Sequence, residues 1–185
     1  MKSMTHQYVD NLKSERLVTR FLSEGDVQFW AGFFKHKEAV EHFLPSHLTN
    51  PEERAKEWID KQLDRYTNNR FGLQAILFQE TNEFIGQCGL LAKEVDGVSE
   101  IEVGYFILHN YWGQGFAPEA ARLFIDYAFN NNLTKSIISL IGNCNVKSQR
   151  VAEKNGLIRE RETNWLGLDV YIYRIERDEW EQSCA

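Results

Sequence analysis

"SEIEVGYFILHNYWGQGFAPEAARLFIDYAFN", residues 99–130, joins a strand pattern to a helix pattern through a turn that holds Gly113 and Gly115. Residues 99–108 are rich in Ile, Val, Tyr and Phe and read as a strand. Residues 116–130 read as a helix with Ala120, Leu123, Phe124, Tyr127 and Ala128 on one side. Each glycine costs about 0.5–1 kcal/mol relative to alanine in a regular element. The turn therefore needs unusual dihedrals, or it must let something approach bare backbone.

At the mouth of a helix several N–H groups lack intrahelical partners and point along the axis, where the macrodipole favours an anion. The amides around Gly113, Gln114, Gly115, Phe116 and Ala117 thus read as a pyrophosphate cradle. The plainer alternative is a tight turn with one glycine at positive φ. Two other phosphate motifs fail. There is no GxxxxGK[ST], and Pro118 stands where a dinucleotide fingerprint would need its third glycine.

Working outward, "KSIISLIG" (135–142) is an apolar strand, as expected of a buried strand reached by a crossover helix. "NVKSQRVAEKNG" (145–156) reads as a short helix closing on Gly156. Upstream, residues 16–22 form a first strand, and "VQFWAGFF" (27–34) and "EAVEHFL" (38–44) form short helices. In "NPEERAKEWIDKQLDRY" (50–66), Asn50 is the N-cap, Pro51 fits the first turn, and Glu52 and Glu53 complement the dipole. Its apolar side is Ala55, Trp58, Ile59, Leu63 and Tyr66. Strands at 71–78 and 83–91 follow, with "QETN" (79–82) and "AKEVDGV" (92–98) as connections. "LIRERET" (157–163) and "DVYIYRIER" (169–177) close the chain. The fold class is a single α/β (α+β) domain with a β–Gly-loop–α–β unit at its middle.

A length of 185 residues suits one domain with a proper core. The net charge of −6 argues against a broad nucleic-acid surface, so no nucleic-acid partner is expected. Cys88, Cys144 and Cys184 are odd in number and have no CxxC spacing. They suggest neither a disulfide framework nor a zinc site, and a reducing cytoplasm is the expected compartment. The N-terminus lacks the apolar core of a secretory signal, and no run of about 18 apolar residues suggests a membrane span. His6, His36, His42, His47 and His109 show no metal-ligand spacing, and no metal is expected.

Three spaced motifs carry a resemblance: E-V-G-Y-F-I (102–107), Y-W-G-Q-G-F-A-x-E-A (111–120) and N-x-x-S-x-R-V-x-E-K-x-G (145–156). In this order they resemble the GNAT N-acetyltransferases, especially the RimJ/RimL-like branch. "SERLVTRFLSEGDV" (14–27) and "FIGQCGL" (84–90) fit the same branch. Trp112 stands where the general family pattern has Gln or Arg, and Pro118 and the Asn155–Leu157 pair also depart from it.

The resemblance implies an acyl-CoA N-acyltransferase fold, a mixed sheet of about seven strands whose parallel strands 4 and 5 (101–108 and 135–141) splay apart. It implies one domain over 1–185: an N-terminal extension (1–14), an acceptor-side half (15–95), an acetyl-CoA-binding core (96–160) and C-terminal strands (161–185). Acetyl-CoA would be cosubstrate, its pantetheine arm against Phe106, Ile107 and Leu108. Its pyrophosphate would rest on Gly113, Gln114, Gly115, Phe116 and Ala117, with Trp112 also in the cofactor site, and Asn145 and Ser148 would touch the pantetheine end. The implied reaction is direct attack of a primary amine on the thioester in a ternary complex, with a protein N-terminal α-amine or a small amine as acceptor.

The amine must lose its proton, the acetyl oxygen needs N–H donors, and the departing thiolate must be protonated. Alternation places Glu100, Glu102 and Gly104 on one side of the strand. The resemblance favours Glu102 as the base and Ser148 as the acid, with Tyr171 and Tyr173 as alternative acids. Phe34, Phe43, Trp30 and Trp58 either shape the acceptor pocket or belong to the core. A non-catalytic CoA-binding regulatory domain is the second functional class, and homodimerisation is open by analogy.

Overall fold

The computed structural model describes residues 8–43 and 45–183. Its strands are β1 (Leu17–Arg20), β2 (Leu73–Phe78), β3 (Phe84–Val95), β4 (Val98–Ile107), β5 (Ser136–Gly142), β6 (Ile158–Trp165) and β7 (Leu168–Glu176). The helices are α1 (Val27–Phe34), α2 (Lys37–Val40), α3 (Pro51–Thr67), α4 (Phe116–Asn130), α5 (Val146–Lys154) and α6 (Arg177–Ser183). Strand order is β1-β2-β3-β4-β5-β7-β6. Neighbours are antiparallel except β4 and β5, which run parallel through the crossover helix α4.

Two helix ends have a clear local cause. The side-chain oxygen of Asn50 accepts from the N–H groups of Glu52 (2.8 Å) and Glu53 (3.2 Å), capping α3 as its sequence suggests. At the end of α5, Gly156 N–H reaches the Glu153 carbonyl (3.0 Å) and Leu157 N–H reaches that of Ala152 (3.1 Å). This is the paired closure of a Schellman motif, centred on the expected glycine.

Of three buried apolar clusters among the described residues, the two larger flank the sheet. On one face Phe116, Ala120, Phe124 and Ala128 of α4 pack with Ile76, Ile85, Leu90 and Val103. On the other, Trp30 and Phe33 of α1 and Ala55 and Ile59 of α3 pack with Ala75, Leu77 and Phe84. Trp30 stacks on Phe33 with ring centroids 4.4 Å apart.

The structure departs from the sequence reading in four places. The helix expected at 38–44 is the single turn α2, and Leu44 lies outside the described residues, as do His6 and Cys184. Most of "AKEVDGV" is strand, because β3 continues to Val95 and turns through Asp96 (φ 52°) and Gly97 (φ 78°) alone. Two residues at positive φ match the right-handed twist of the flanking strands. Residues 8–14 pack on the sheet: Tyr8 donates to the Gly72 carbonyl (2.9 Å), and the Gln74 side chain donates to that of Val9 (2.8 Å). A further helix, α6, follows β7 and buries Trp180. Among the described residues no helix is long and apolar enough to cross a membrane.

Candidate active site

The parallel pair β4–β5 is held in register at one position, Glu102 opposite Ile138, and parts beyond it. Two side chains occupy the groups that the next rung would have used. The Glu102 carboxylate accepts from Leu140 N–H (3.2 Å), and the Ser139 hydroxyl donates to the Val103 carbonyl (2.9 Å). A V-shaped gap opens from there toward the end of β4.

Leu108 N–H donates to the Ile85 carbonyl at 2.9 Å, which sets the phase of β4 against β3. Since peptide groups alternate along an antiparallel ladder, those of Phe106 and Leu108 face β3, and those of Tyr105 and Ile107 face the gap. An extended ligand arm would therefore pair with Tyr105 and Ile107. Within the expected stretch of Phe106, Ile107 and Leu108, Ile107 is the residue whose peptide group faces the gap, with that of Tyr105 beside it. Phe106 lines the gap, while Leu108 packs against the α1–α3 core.

A cavity of about 730 Å³ runs from this gap along α5 to the glycine turn, and a smaller one of about 110 Å³ sits in the fork. Tyr105, Phe106, Asn145 and Ser148 line both, so the two adjoin as neighbouring parts of one channel-like site. Ile107, Trp112, Gly113, Gly115, Phe116 and Ala117 line the larger part, and Glu102 lines the fork. Gln114 is outside the lining; its side chain turns back to the Asn110 carbonyl (3.2 Å).

Gly113 and Gly115 both adopt positive φ, 76° and 81°. The unusual-dihedral reading of the turn is thus correct, and the amide cradle is compatible with it. Among the described residues, no protein acceptor engages the N–H groups of Gly113, Gln114, Gly115, Phe116 or Ala117. Pro118 has none to offer, and the first α4 bond runs from Glu119 N–H to the Gly115 carbonyl (3.3 Å). The turn is braced from behind by Arg16, whose guanidinium donates to the Gln114 carbonyl (3.0 Å) and the Glu119 carboxylate (2.7 Å) and lies over the Phe116 ring (4.4 Å). Trp112 supplies a wall: its indole N–H is held by the Ile107 carbonyl (2.7 Å).

Glu102 is 8% exposed. Burial pushes its carboxyl above the ordinary value, and Lys93 (3.5 Å) and the Leu140 N–H oppose that rise without cancelling it. Lys93 is itself held over the Trp165 ring at 4.3 Å. Glu100, its neighbour on the same face, is instead locked in two hydrogen bonds from Arg174 (2.6 and 3.1 Å). The Ser148 hydroxyl donates to the Tyr105 hydroxyl (3.1 Å), which in turn donates to the Ser148 carbonyl (2.9 Å). Asn145 caps α5 by accepting from Ser148 N–H (3.1 Å) while lining the channel.

Tyr105 was not singled out by the sequence, where an aromatic on a strand reads as core. Tyr171 and Tyr173 pair with Ile141 and Ser139 on the α4–α5 face. Neither lines the channel: the Tyr173 hydroxyl meets Glu153 (3.3 Å), and Tyr171 lies under Arg159. Phe43 reaches the fork, whereas Trp30 and Phe34 are core, and the Trp58 indole donates to Gln87 (2.9 Å). His42 lines both parts of the channel, and His109 stacks on His36 with centroids 3.4 Å apart. Among the described residues no group of three or more His, Cys, Asp or Glu side chains is placed to hold a metal ion.

Residues 16–158 match the family described as acetyltransferase (GNAT) domain. The N-acetyltransferase YnaD of Bacillus subtilis, uncharacterised, is 32% identical over 180 residues, 92% of this chain and 99% of that protein. The uncharacterised protein YkkB of the same organism is 33% identical over 106 residues, and there the match spans 56% of this chain and 60% of the relative. An acetyltransferase from Agrobacterium tumefaciens shares the fold with a TM-score of 0.76 and 24% identity, covering 92% of this chain and 96% of that one. RimL, a ribosomal L7/L12 α-N-protein acetyltransferase solved with coenzyme A, superposes with a TM-score of 0.69 and 17% identity, covering 90% and 97%.

Proposed function

The chain belongs to the acetyltransferase (GNAT) family, and from that premise we propose that it moves the acetyl group of acetyl-CoA to a primary amine by direct attack. The observation that carries this reading is the pair of adjoining cavities, with unengaged amides lining the larger and a desolvated carboxylate lining the fork. Both ends fit the ligand. Amides at a helix N-terminus suit a pyrophosphate, and the gap-facing peptide groups of Tyr105 and Ile107 suit the amides of a pantetheine arm. When bound, the cosubstrate supplies an activated thioester.

Glu102 takes the proton of the incoming ammonium, directly or through water. Its raised affinity for protons brings it closer to the amine's own value of about 10.4 for a lysine-like group. The new N–C bond forms as the C–S bond breaks, and Ser148 gives the departing sulfur its proton. The second proton, shed by the acetylated nitrogen, returns to the Ser148 oxygen. Tyr105 relays that proton to Ser148 once its O–H turns from the Ser148 carbonyl to the Ser148 hydroxyl oxygen, reversing the bond that now runs from serine to tyrosine. Main-chain N–H groups facing the gap stabilise the negative charge that develops on the acetyl oxygen.

Glu102 is the carboxylate that lines the fork, and a buried carboxylate there favours a cationic acceptor. The first acceptor to try is the α-amine of a polypeptide, the group named for RimL, with small amines as the second class. The test is a thermal melt with and without acetyl-CoA, followed by thiol release with N-terminal peptides and small amines. At 100 times Kd the cosubstrate adds about 2.7 kcal/mol of stability. A shift without turnover of any amine would point to a CoA-binding regulatory domain.

A further inference from the structure

We propose that Arg150 and Lys154 form a subsite for the 3′-phosphate of the cosubstrate, so that the protein distinguishes CoA from dephospho-CoA; this rests on the acetyl-CoA reading above. Positions 147, 150 and 154 share one face of α5, and all three side chains line the larger part of the channel. Lys147 is already committed: its ammonium lies 3.0 Å from Glu38 and 4.4 Å over the Trp112 ring. Arg150 and Lys154 are exposed and, among the described residues, pair with no carboxylate, in a chain whose acids outnumber its Lys and Arg 27 to 21.

Their position relative to the glycine turn is fixed by Asn155, whose side-chain amide donates to the Pro118 carbonyl at 3.2 Å. That bond fastens the C-terminal end of α5 to the first turn of α4. The two cations therefore flank the phosphate end of the channel, away from Ser148 and the fork. A cation in the last turn of α5 is favoured by the helix dipole, which accounts for Lys154. It does not account for Arg150, near the middle of the helix and turned into the same cavity.

The two kinds of phosphate ask for different partners. A pyrophosphate bridge can be held by neutral amides and a helix terminus. A phosphate monoester carries about −1.5 to −2 charge at pH 7 and favours a planar guanidinium with a second point charge beside it.

The experiment is calorimetric titration of CoA and dephospho-CoA into the wild-type protein, Arg150→Ala, Lys154→Ala and the double variant. Melting curves verify that these exposed substitutions leave the fold intact. The expected result is a preference for CoA of about tenfold to a hundredfold, the range of a charge-assisted contact. That preference falls in each single variant and vanishes in the double one, while dephospho-CoA affinity stays unchanged. Equal wild-type affinity for the two ligands overturns the subsite and leaves the acetyl-CoA reading standing. So does an equal loss of both in the variants. Failure of the wild type to bind either ligand overturns both.

Discussion

Glu102 holds Leu140 N–H at 3.2 Å, taking the place of the β4 carbonyl that an unbroken parallel ladder would have supplied. One carboxylate thus ends the ladder and stands in the fork that the ending creates. The link between sheet topology and chemistry runs through this side chain.

If Glu102 is the base, kcat/KM rises with pH through a midpoint above the ordinary carboxylate value of about 4.3, because burial holds the proton on. Glu102→Gln can still accept from Leu140 but cannot take a proton. It should lower kcat/KM by about 10²–10⁴-fold and remove that acid limb. Lys93→Met withdraws the opposing charge and should move the midpoint upward. A Glu102→Gln enzyme with an unchanged pH–rate profile would leave the carboxylate a purely structural role.

The Tyr105–Ser148 hydroxyl pair should separate by kinetics. Ser148→Ala removes the donor to the sulfur and is expected to cost about 10²-fold in kcat with little change in KM for acetyl-CoA. Tyr105→Phe leaves that donor in place without its partner and should cost less. Steady-state rates at saturating amine decide it; full kcat in Ser148→Ala would exclude serine as the acid.

Folding stability carries its own pH signature at Asp26. Its carboxylate, 1% exposed, accepts from the Arg20 guanidinium (2.6 and 2.8 Å) and from Ser23 N–H (2.8 Å). Burial alone would raise its pKa, but these donors prevail and hold it below the usual carboxylate range. A depressed folded value gives stability that is complete above the unfolded pKa and lost as pH falls through the folded one. Asp26→Ala should cost about 1.5–3 kcal/mol at pH 7 in urea denaturation and flatten the acid side of the stability curve. An unchanged urea midpoint would contradict the geometry.

Much of this site is legible in sequence because its signals are local. Asn50 before Pro51, the glycines at 113 and 115, and Gly156 each report a backbone requirement within a few residues. The spaced motifs carry the family and, with it, the splayed strands. What sequence does not carry is contact across the chain. Alternation puts Glu102 and Phe106 on one face, yet the peptide groups that face the gap depend on pairing with β3, which residues 101–108 do not contain. Tyr105 gains its interest from Ser148, 43 positions away. Likewise, Glu100 and Glu102 look equivalent until Arg174 claims one and Leu140 the other.

The longest of these contacts yields a last prediction. Arg16 sits immediately before β1 and braces a turn about a hundred positions later, bonding both the Gln114 carbonyl and Glu119. Glu119 also accepts from Ser14 (2.7 Å) and from the Arg16 main chain (2.8 Å). Holding the Gln114 carbonyl back on this side leaves the following amides turned to the channel. Gly115 lies inside the brace: a Cβ there would come within 3.3 Å of the Arg16 guanidinium, at a φ of 81° that L residues rarely adopt. Gly115→Val should therefore lose stability and most CoA affinity together. Arg16→Lys is the sharper probe, since lysine can keep an ion pair with Glu119 but cannot span both acceptors. It should melt near the wild-type temperature and bind CoA more weakly, with affinity for a pantetheine fragment that lacks the pyrophosphate unchanged. Equal weakening of both ligands would mean that the brace supports the whole fold, not the orientation of the amides.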